Sequence, residues 1–381
     1  MKSKILSLHL LLCISFIVLG SCSKISQILS PSKSKPGLVV IFVNGGVQVQ
    51  REGNKIQIKI GDILQRNDEI ITNNGSIDLQ SSYGHTIRLK SFTRLSIESL
   101  HGELNEETSL AVKTGQLLIK ANKLSSKESF RVSTPTAIAA VRGTAFSFEV
   151  VEGTLPRIKV YEGMVAMTLK SPISKEITAE DIAKNPNLKR FEQFLKENEV
   201  IISEKEEAVV KPAYEELIQA ILTQVDKKTI EQSINEFQED VLKKAVSKKN
   251  FNISPQEEAD LQTLVKVKEE LIDSDLEKKE GVEVSSQIQK DQSEKLNQAF
   301  DKIESVAKDQ NLESEGEIQK YYSVLETVRK VDDTELSGAV VTQVGDTILL
   351  HSTEGIFRLN TSQIKYIEYK NFDLVTKKKK K

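Results

Sequence analysis

The chain has 381 residues, with 53 Lys plus Arg against 55 Asp plus Glu, four His, two Cys and no Trp. A hydrophobic content of 38% allows a cored protein of two or three domains and argues against wholesale disorder. The net charge of −2 averages unlike parts: residues 1–36 carry +5, 37–172 carry +3, 173–335 carry −14 and 336–381 carry +4. Glycine is uneven as well, with 12 of 18 in residues 37–172 and two in 173–335.

The N-terminus reads as a targeting segment. Lys2 and Lys4 precede an almost unbroken apolar stretch from Ile5 to Gly20, interrupted by His9. That is the length of a signal-peptide core and short for a membrane span of about 20 residues. It ends in Val18-Leu19-Gly20-Ser21-Cys22, which resembles a bacterial lipobox. The resemblance implies cleavage of residues 1–21 and acylation (palmitate included) of Cys22, and two or more acyl chains make release from a membrane negligible. Cys13 would leave with the signal peptide, so the mature chain would hold no disulfide. No acidic residue follows Cys22 directly, which favours the outer membrane. Residues 22–36, rich in Ser, Lys and Pro, read as a flexible tether.

Residues 37–172 read as an all-β domain. Period-two segments such as Leu38 to Val43, Ile56 to Ile60, Ile77 to Gln80 and Thr86 to Lys90 are separated by Asn44-Gly45-Gly46, Gly61-Asp62, Asn74-Gly75 and Tyr83-Gly84. Such dipeptides between alternating runs predict short antiparallel strands and tight turns. Later strands are predicted at 109–112, 116–120, 130–133, 145–150, 157–161 and 164–169.

The string from Val132 to Phe146, VSTPTAIAAVRGTAF, followed by Val160-Tyr-Glu-Gly-Met-Val165, resembles the FecR domain. So does the upstream order of Gly61-Asp62, Asp68 to Thr72, Gly84, Ile87 and Leu89. The resemblance covers residues 38–170. It implies kinship with regulators that relay an iron-uptake signal to a sigma factor. Those regulators place a cytoplasmic segment and a membrane helix first, for which the 21 residues before Cys22 leave no room. The order here resembles instead the spirochaetal, Leptospira-type lipoproteins whose FecR domain follows the lipid anchor. Arg142-Gly143-Thr144 is the candidate site: an Arg beside a turn glycine presents a guanidinium to a carboxylate or phosphate, or serves the turn alone.

Residues 173–335 read as an acidic helical region. Stripes with a period of three and four start at Tyr214, Ile230, Leu261, Leu296 and Ile318, the last continuing through Tyr321, Leu325 and Val328. Ser254-Pro255-Gln256-Glu257 is a helix start with a capping box. The expected arrangement is an irregular bundle or hairpin stack. From Gly338 the period of two returns, so 336–372 reads as a β meander of about four strands, packed on the helices or on another chain. Residues 373–381 form a basic tail ending in five lysines.

The fold class expected is therefore α+β and multidomain. His85, His101 and His351 stand alone in sequence, and no nucleophile elbow, phosphate loop or zinc-binding His motif occurs, so a non-enzymatic role is expected and no cofactor or metal is assigned. The expected function is binding or scaffolding of envelope proteins or of glycan such as peptidoglycan or lipopolysaccharide, without nucleic acid. Periplasmic signalling and glycan processing by clustered acids are the alternatives.

Overall fold

Alternation in residues 38–169 becomes fourteen strands. They are β1 Leu38–Asn44, β2 Val47–Arg51, β3 Asn54–Ile56, β4 Ile63–Leu64, β5 Glu69–Thr72, β6 Ser76–Ser81 and β7 Thr86–Leu89, then β8 Arg94–Ser99, β9 Glu107–Lys120, β10 Ser129–Ser133, β11 Ala137–Val141, β12 Ala145–Val150, β13 Arg157–Glu162 and β14 Met164–Leu169. The computed structural model describes residues 36–102, 107–123, 129–141, 143–150, 156–170, 179–212, 214, 245–276 and 282–369. The expectations for the signal peptide, Cys22, the tether, Arg142, most of the stripes in 214–245 and the lysine tail lie outside them.

Two sheets form and share one strand. In the first, β1, β6, β7, the C-terminal half of β9, β12 and β13 pair antiparallel in that order. In the second, β3, β2, β5, β8, the N-terminal half of β9, β10, β11 and β14 follow one another, with only β9 and β10 parallel. The inward faces supply the main core, including Leu79, Ile87, Leu117, Phe130, Phe146 and Val160. The sequence pattern divides 109–120 into two strands; the structure shows one of 14 residues that changes sheet at Gly115. Gly115 sits at φ +105°, and a Cβ there would lie 2.3 Å from Thr93 Cα, so the bend requires glycine.

The segment expected to be wholly helical adds strands to both sheets. Helices α1 Ala179–Lys184 and α2 Pro186–Glu197 are followed by β15 Val200–Ser203, β16 Glu206–Val210 and β17 Val246–Asn250. β15 pairs with β14 in the second sheet, whereas β16 pairs with β13 and β17 with β16 in the first. Leu188, Phe191 and Leu195 of α2 join the main core.

The remaining helices pack both on sheet and on one another. They are α3 Pro255–Thr263, α4 Glu269–Leu276, α5 Val282–Lys308 and α6 Glu315–Tyr322. The expected capping box is present at Ser254 and Glu257. The stripe read from Leu261 to Asp275 is broken at 264–268, where the backbone is held by other elements. The outward side chains of β1, Val39 and Ile41, bury against Val267, Ile272 and Ile288. Leu118, Ala145 and Tyr161 do the same against Leu264, with Phe251 and Leu261 alongside.

The last stripe also ends early. α6 stops at Tyr322, its C-cap Ser323 being left-handed at φ +58°, and Val328 lies in a strand. Short apolar runs fit both periods, and here sheet pairing decides. β18 Glu326–Lys330 begins a five-stranded sheet completed by β19 Glu335–Val344, β20 Thr347–Ser352, β21 Gly355–Asn360 and β22 Ile364–Tyr369. Its order is β21-β20-β19-β18-β22, one strand more than the meander expected from Gly338. Ala339, Val341 and Leu349 pack against Phe300, Ile303, Ile318 and Tyr322. The protein is thus α+β, with a large N-terminal β structure, helices on its outer face and a C-terminal sheet.

Candidate functional site

A buried polar row joins the first sheet to the segment that covers it. Arg88 of β7 donates two hydrogen bonds to Asp78 of β6, at 2.8 and 2.7 Å, and two to the hydroxyl and carbonyl of Thr263, both at 3.0 Å. Asp78 is fully buried and Arg88 is 4% exposed. Burial opposes the Arg88 charge, but Asp78 outweighs it and keeps the guanidinium above its ordinary value. The Gln80 amide donates to the Val267 carbonyl at 2.9 Å and accepts from the Val267 N–H at 2.7 Å. Lys120 donates to the Leu264 carbonyl at 3.3 Å, and burial followed by repulsion from Arg88 pushes its ammonium below the usual range. Residues 264–267 leave helical geometry, with the Leu264 and Val267 backbone groups satisfied from the sheet.

Further along the same face, Lys90 pairs with Asp260 at 2.5 Å, and Thr342 of β19 donates to the other Asp260 oxygen at 3.0 Å. Lys159 pairs with Glu257 at 2.7 Å, and the Tyr161 hydroxyl lies 3.3 Å from the same carboxylate. Burial opposes ionisation of Glu257, but hydrogen bonds from Lys159 and the Ser254 amide outweigh it and hold its carboxyl below the usual range. α3 is thereby fixed between the sandwich and the C-terminal sheet.

Beside α3 these parts leave an open polar cleft of about 530 Å³. One wall is the pair of loops Asn44-Gly45 and Asn74-Gly75, and another is the β19–β20 turn at Gly345-Asp346. The two glycine loops touch backbone to backbone: a Cβ on Gly75 would lie 2.3 Å from the Asn44 carbonyl oxygen. Ser76, Ser91, Gln343 and Thr361 complete the lining, with Val344 its apolar member and the Lys90–Asp260 pair at its base. The volume falls within the usual range for small-molecule sites, about 300–1,000 Å³. The cations next to the cleft, Arg88 and Lys90, are matched by Asp78 and Asp260, whereas the Asp346 carboxylate in the lining accepts a hydrogen bond from the Thr361 hydroxyl at 3.1 Å; amide and hydroxyl groups make up the rest of the polar surface.

The sequence-derived candidate lies elsewhere. Gly143, at φ +68°, and buried Thr144 pack against the end of β9 and the β13–β14 turn. The Thr144 carbonyl accepts from the Ala121 N–H at 2.8 Å, and a Cβ on Gly163 would lie 2.7 Å from the Gly143 carbonyl oxygen. The described parts of the two motif strings, 143–146 and 160–165, are therefore packed directly on each other. His351 accepts or donates in a 2.8 Å contact with the Tyr322 hydroxyl, and burial lowers its pKa. His85 accepts from the Asn122 N–H at 3.1 Å. Neither of these two His is in the cleft lining. Among the described residues no group of three or more His, Cys, Asp or Glu is arranged to hold a metal.

The sequence marks Asn44-Gly45, Asn74-Gly75 and Gly345-Asp346 as turns only. They are 30 and about 270 residues apart: the pairing of β1 with β6 joins the first two, and the packing of the C-terminal sheet sets the third beside Asn44.

Residues 68–166 match the family model described as FecR protein. No curated protein matches the chain. Two crystal structures of a proposed anti-sigma factor from Parabacteroides distasonis ATCC 8503, at 1.65 and 2.50 Å, are similar with 15% and 14% identity and a TM-score of 0.31 in each case. Each comparison covers 51% of this chain and 64% of that one, so this chain spans under two thirds of the length of those structures. The matched stretch runs from Asp68, just before β5, to Ala166 in β14; it lies within the two-sheet sandwich and leaves β1–β4 and β15–β17 outside.

Proposed function

We propose that this protein is a lipid-anchored, non-enzymatic binding module of a bacterial cell envelope, in which the FecR-like sandwich and the C-terminal sheet together present a ligand or partner site. The observation that carries this reading is the polar cleft at their junction, built from turn loops on both parts and held open by the Arg88, Gln80 and Lys90 contacts. Loops displayed on a rigid sheet scaffold are common recognition elements. The anchor is assigned to Cys22, in the lipobox-like sequence that precedes a Ser- and Lys-rich tether, and the outer membrane is the favoured location.

Photo-crosslinking in cells tests the reading, using the full chain with a photoreactive residue at Ser91. A specific adduct that disappears when the cleft is filled by Ser76→Trp supports it. Absence of any adduct, or an adduct indifferent to the filling, counts against it. Cys22→Ala tests the anchor: membrane association and electrophoretic mobility change if Cys22 is acylated, and unchanged behaviour overturns that part.

A second reading, relay of a periplasmic signal, is favoured by the FecR match at residues 68–166. It predicts altered transcription of a transport operon when the protein is deleted. An unchanged transcriptome removes it.

A further inference from the structure

The turn between β7 and β8 carries an unusual residue. Phe92 is 73% exposed and sits at φ +60°, in the left-handed region. A bulky aromatic is a poor choice there on two counts: its Cβ crowds the backbone and its ring gains no burial. Among the described non-glycine residues at positive φ, the others are Glu52, Asn67, Lys205, Asn311, Ser323 and Asp333, all polar.

The fold forces the conformation from both sides. Phe92 N–H donates to the Asn73 carbonyl at 2.7 Å, and Thr93 N–H donates to the Thr72 hydroxyl at 2.8 Å. The Thr72 hydroxyl in turn donates to the Lys90 carbonyl at 2.6 Å. On the other side Lys90 N–H donates to the Gln116 carbonyl at 3.0 Å, and Gln116 N–H donates to the Thr93 hydroxyl at 3.0 Å. Strain held this firmly and not relieved by a glycine or asparagine is a pointer to function. Ser91, the preceding residue, lines the polar cleft, and the bond from Phe92 N–H to the Asn73 carbonyl sets the Phe92 backbone beside the lining residue Asn74, next to the cleft.

We propose that the cleft binds a short, uncharged glycan, with Phe92 as the stacking face at its edge. This rests on the binding-module reading and names its ligand class. Sugars combine many hydroxyls with an apolar C–H face, and the site offers both complements. Asn44, Asn74, Ser76, Ser91, Gln343 and Thr361 supply donors and acceptors in varied orientations. Phe92 supplies an exposed, rigid aromatic surface. Anionic ligands such as phosphates fit less well, because Lys90 is held by Asp260 and Arg88 by Asp78. An apolar ligand would meet little apolar wall.

Calorimetric titration of the purified full chain in detergent tests this, with chitotriose and maltotriose as probes and inorganic phosphate as the anionic control. Saturable binding of at least one oligosaccharide is expected, weakened about fivefold to tenfold by Phe92→Ala, the loss of one stacking contact, and retained by Phe92→Tyr. Asn74→Ala, on the adjoining loop and in the cleft lining, weakens it as well. Since Phe92 is exposed, urea midpoints of these variants should stay near that of the parent. Absence of oligosaccharide binding, or binding indifferent to both Phe92→Ala and Asn74→Ala, overturns the proposal, as does preferential binding of phosphate. If the oligosaccharides fail while a Ser91 crosslinker still captures a protein, the glycan assignment falls and the binding-module reading stands. If both fail, both fall.

Discussion

Replacing Asp78 by Asn tests the argument that the outer face of the sandwich is held by a buried ion pair. Asp78 is fully buried and its two oxygens take both bonds of the Arg88 fork, at 2.7 and 2.8 Å. Asparagine keeps the shape but removes the charge and turns an N–H₂ toward the guanidinium. A buried charge stripped of its partner costs about 3–5 kcal/mol. At roughly 2 °C per kcal/mol for a unit of this size, the thermal midpoint should fall by about 6–10 °C. The double variant Asp78→Leu with Arg88→Met removes both charges. It should recover most of the loss, leaving about 1–2 kcal/mol for the two bonds to Thr263. Urea unfolding measures both, and amide exchange should show residues 255–276 opening before β6 and β7. A single-variant cost below about 1 kcal/mol, or a double variant no better than the single, would refute the reasoning.

Other consequences follow from individual contacts. Phe92→Gly should stabilise the protein by about 0.5–1 kcal/mol, since relief of left-handed strain exceeds the added chain entropy; a lower urea midpoint would contradict the strain argument. Gly115→Ala should cost at least about 2 kcal/mol, because the new Cβ meets Thr93 backbone and side chain while φ stays positive, and an unchanged thermal midpoint would mean the bend is not required. Burial raises the pKa of the Glu326 carboxyl, opposed by a hydrogen bond from Val340 N–H. A raised folded-state pKa means stability present at low pH and lost as pH rises through it, so Glu326→Gln should gain stability over the parent at neutral pH and little near pH 4. Glu257 has the opposite sign, its pKa being lowered by Lys159 and Ser254, so its contribution fades as pH falls; Glu257→Gln should narrow the gap between stability at pH 7 and at pH 3. Melting curves at several pH values check both.

Much of the β structure was legible because turn dipeptides bracket alternating runs, and tight turns are local. Asn44-Gly45, Asn74-Gly75 and Gly345-Asp346 all fall at strand ends as the pattern implies. The capping box at Ser254 is equally local. What escaped was non-local. The acidic, glycine-poor composition of residues 173–335 reads as helix, yet β15 to β17 are strands because they extend sheets begun by residues 38–169. Val328 sits at helical spacing from Ile318, Tyr321 and Leu325, but pairs with Leu336 and Ile367 across two strands. Arg88 and Asp78 look like ordinary outward residues of alternating strands, and become buried only because Thr263, 175 residues later, closes over them. The Arg-Gly-Thr string stands out because of its composition, whereas the described part of it, Gly143 and Thr144, packs against Gly163. The cleft needs six separated segments, and Phe92 is marked by a backbone angle that no sequence pattern announces.

The most direct measurement of the central claim is photo-crosslinking in living cells from two positions on the full chain. One is Ser91 in the cleft, and the other is Val331, exposed in the β18–β19 turn outside the cleft lining. The account predicts a discrete adduct from Ser91 that is absent from Val331 and abolished by Ser76→Trp. Equal labelling from both positions, or none from Ser91, would contradict it.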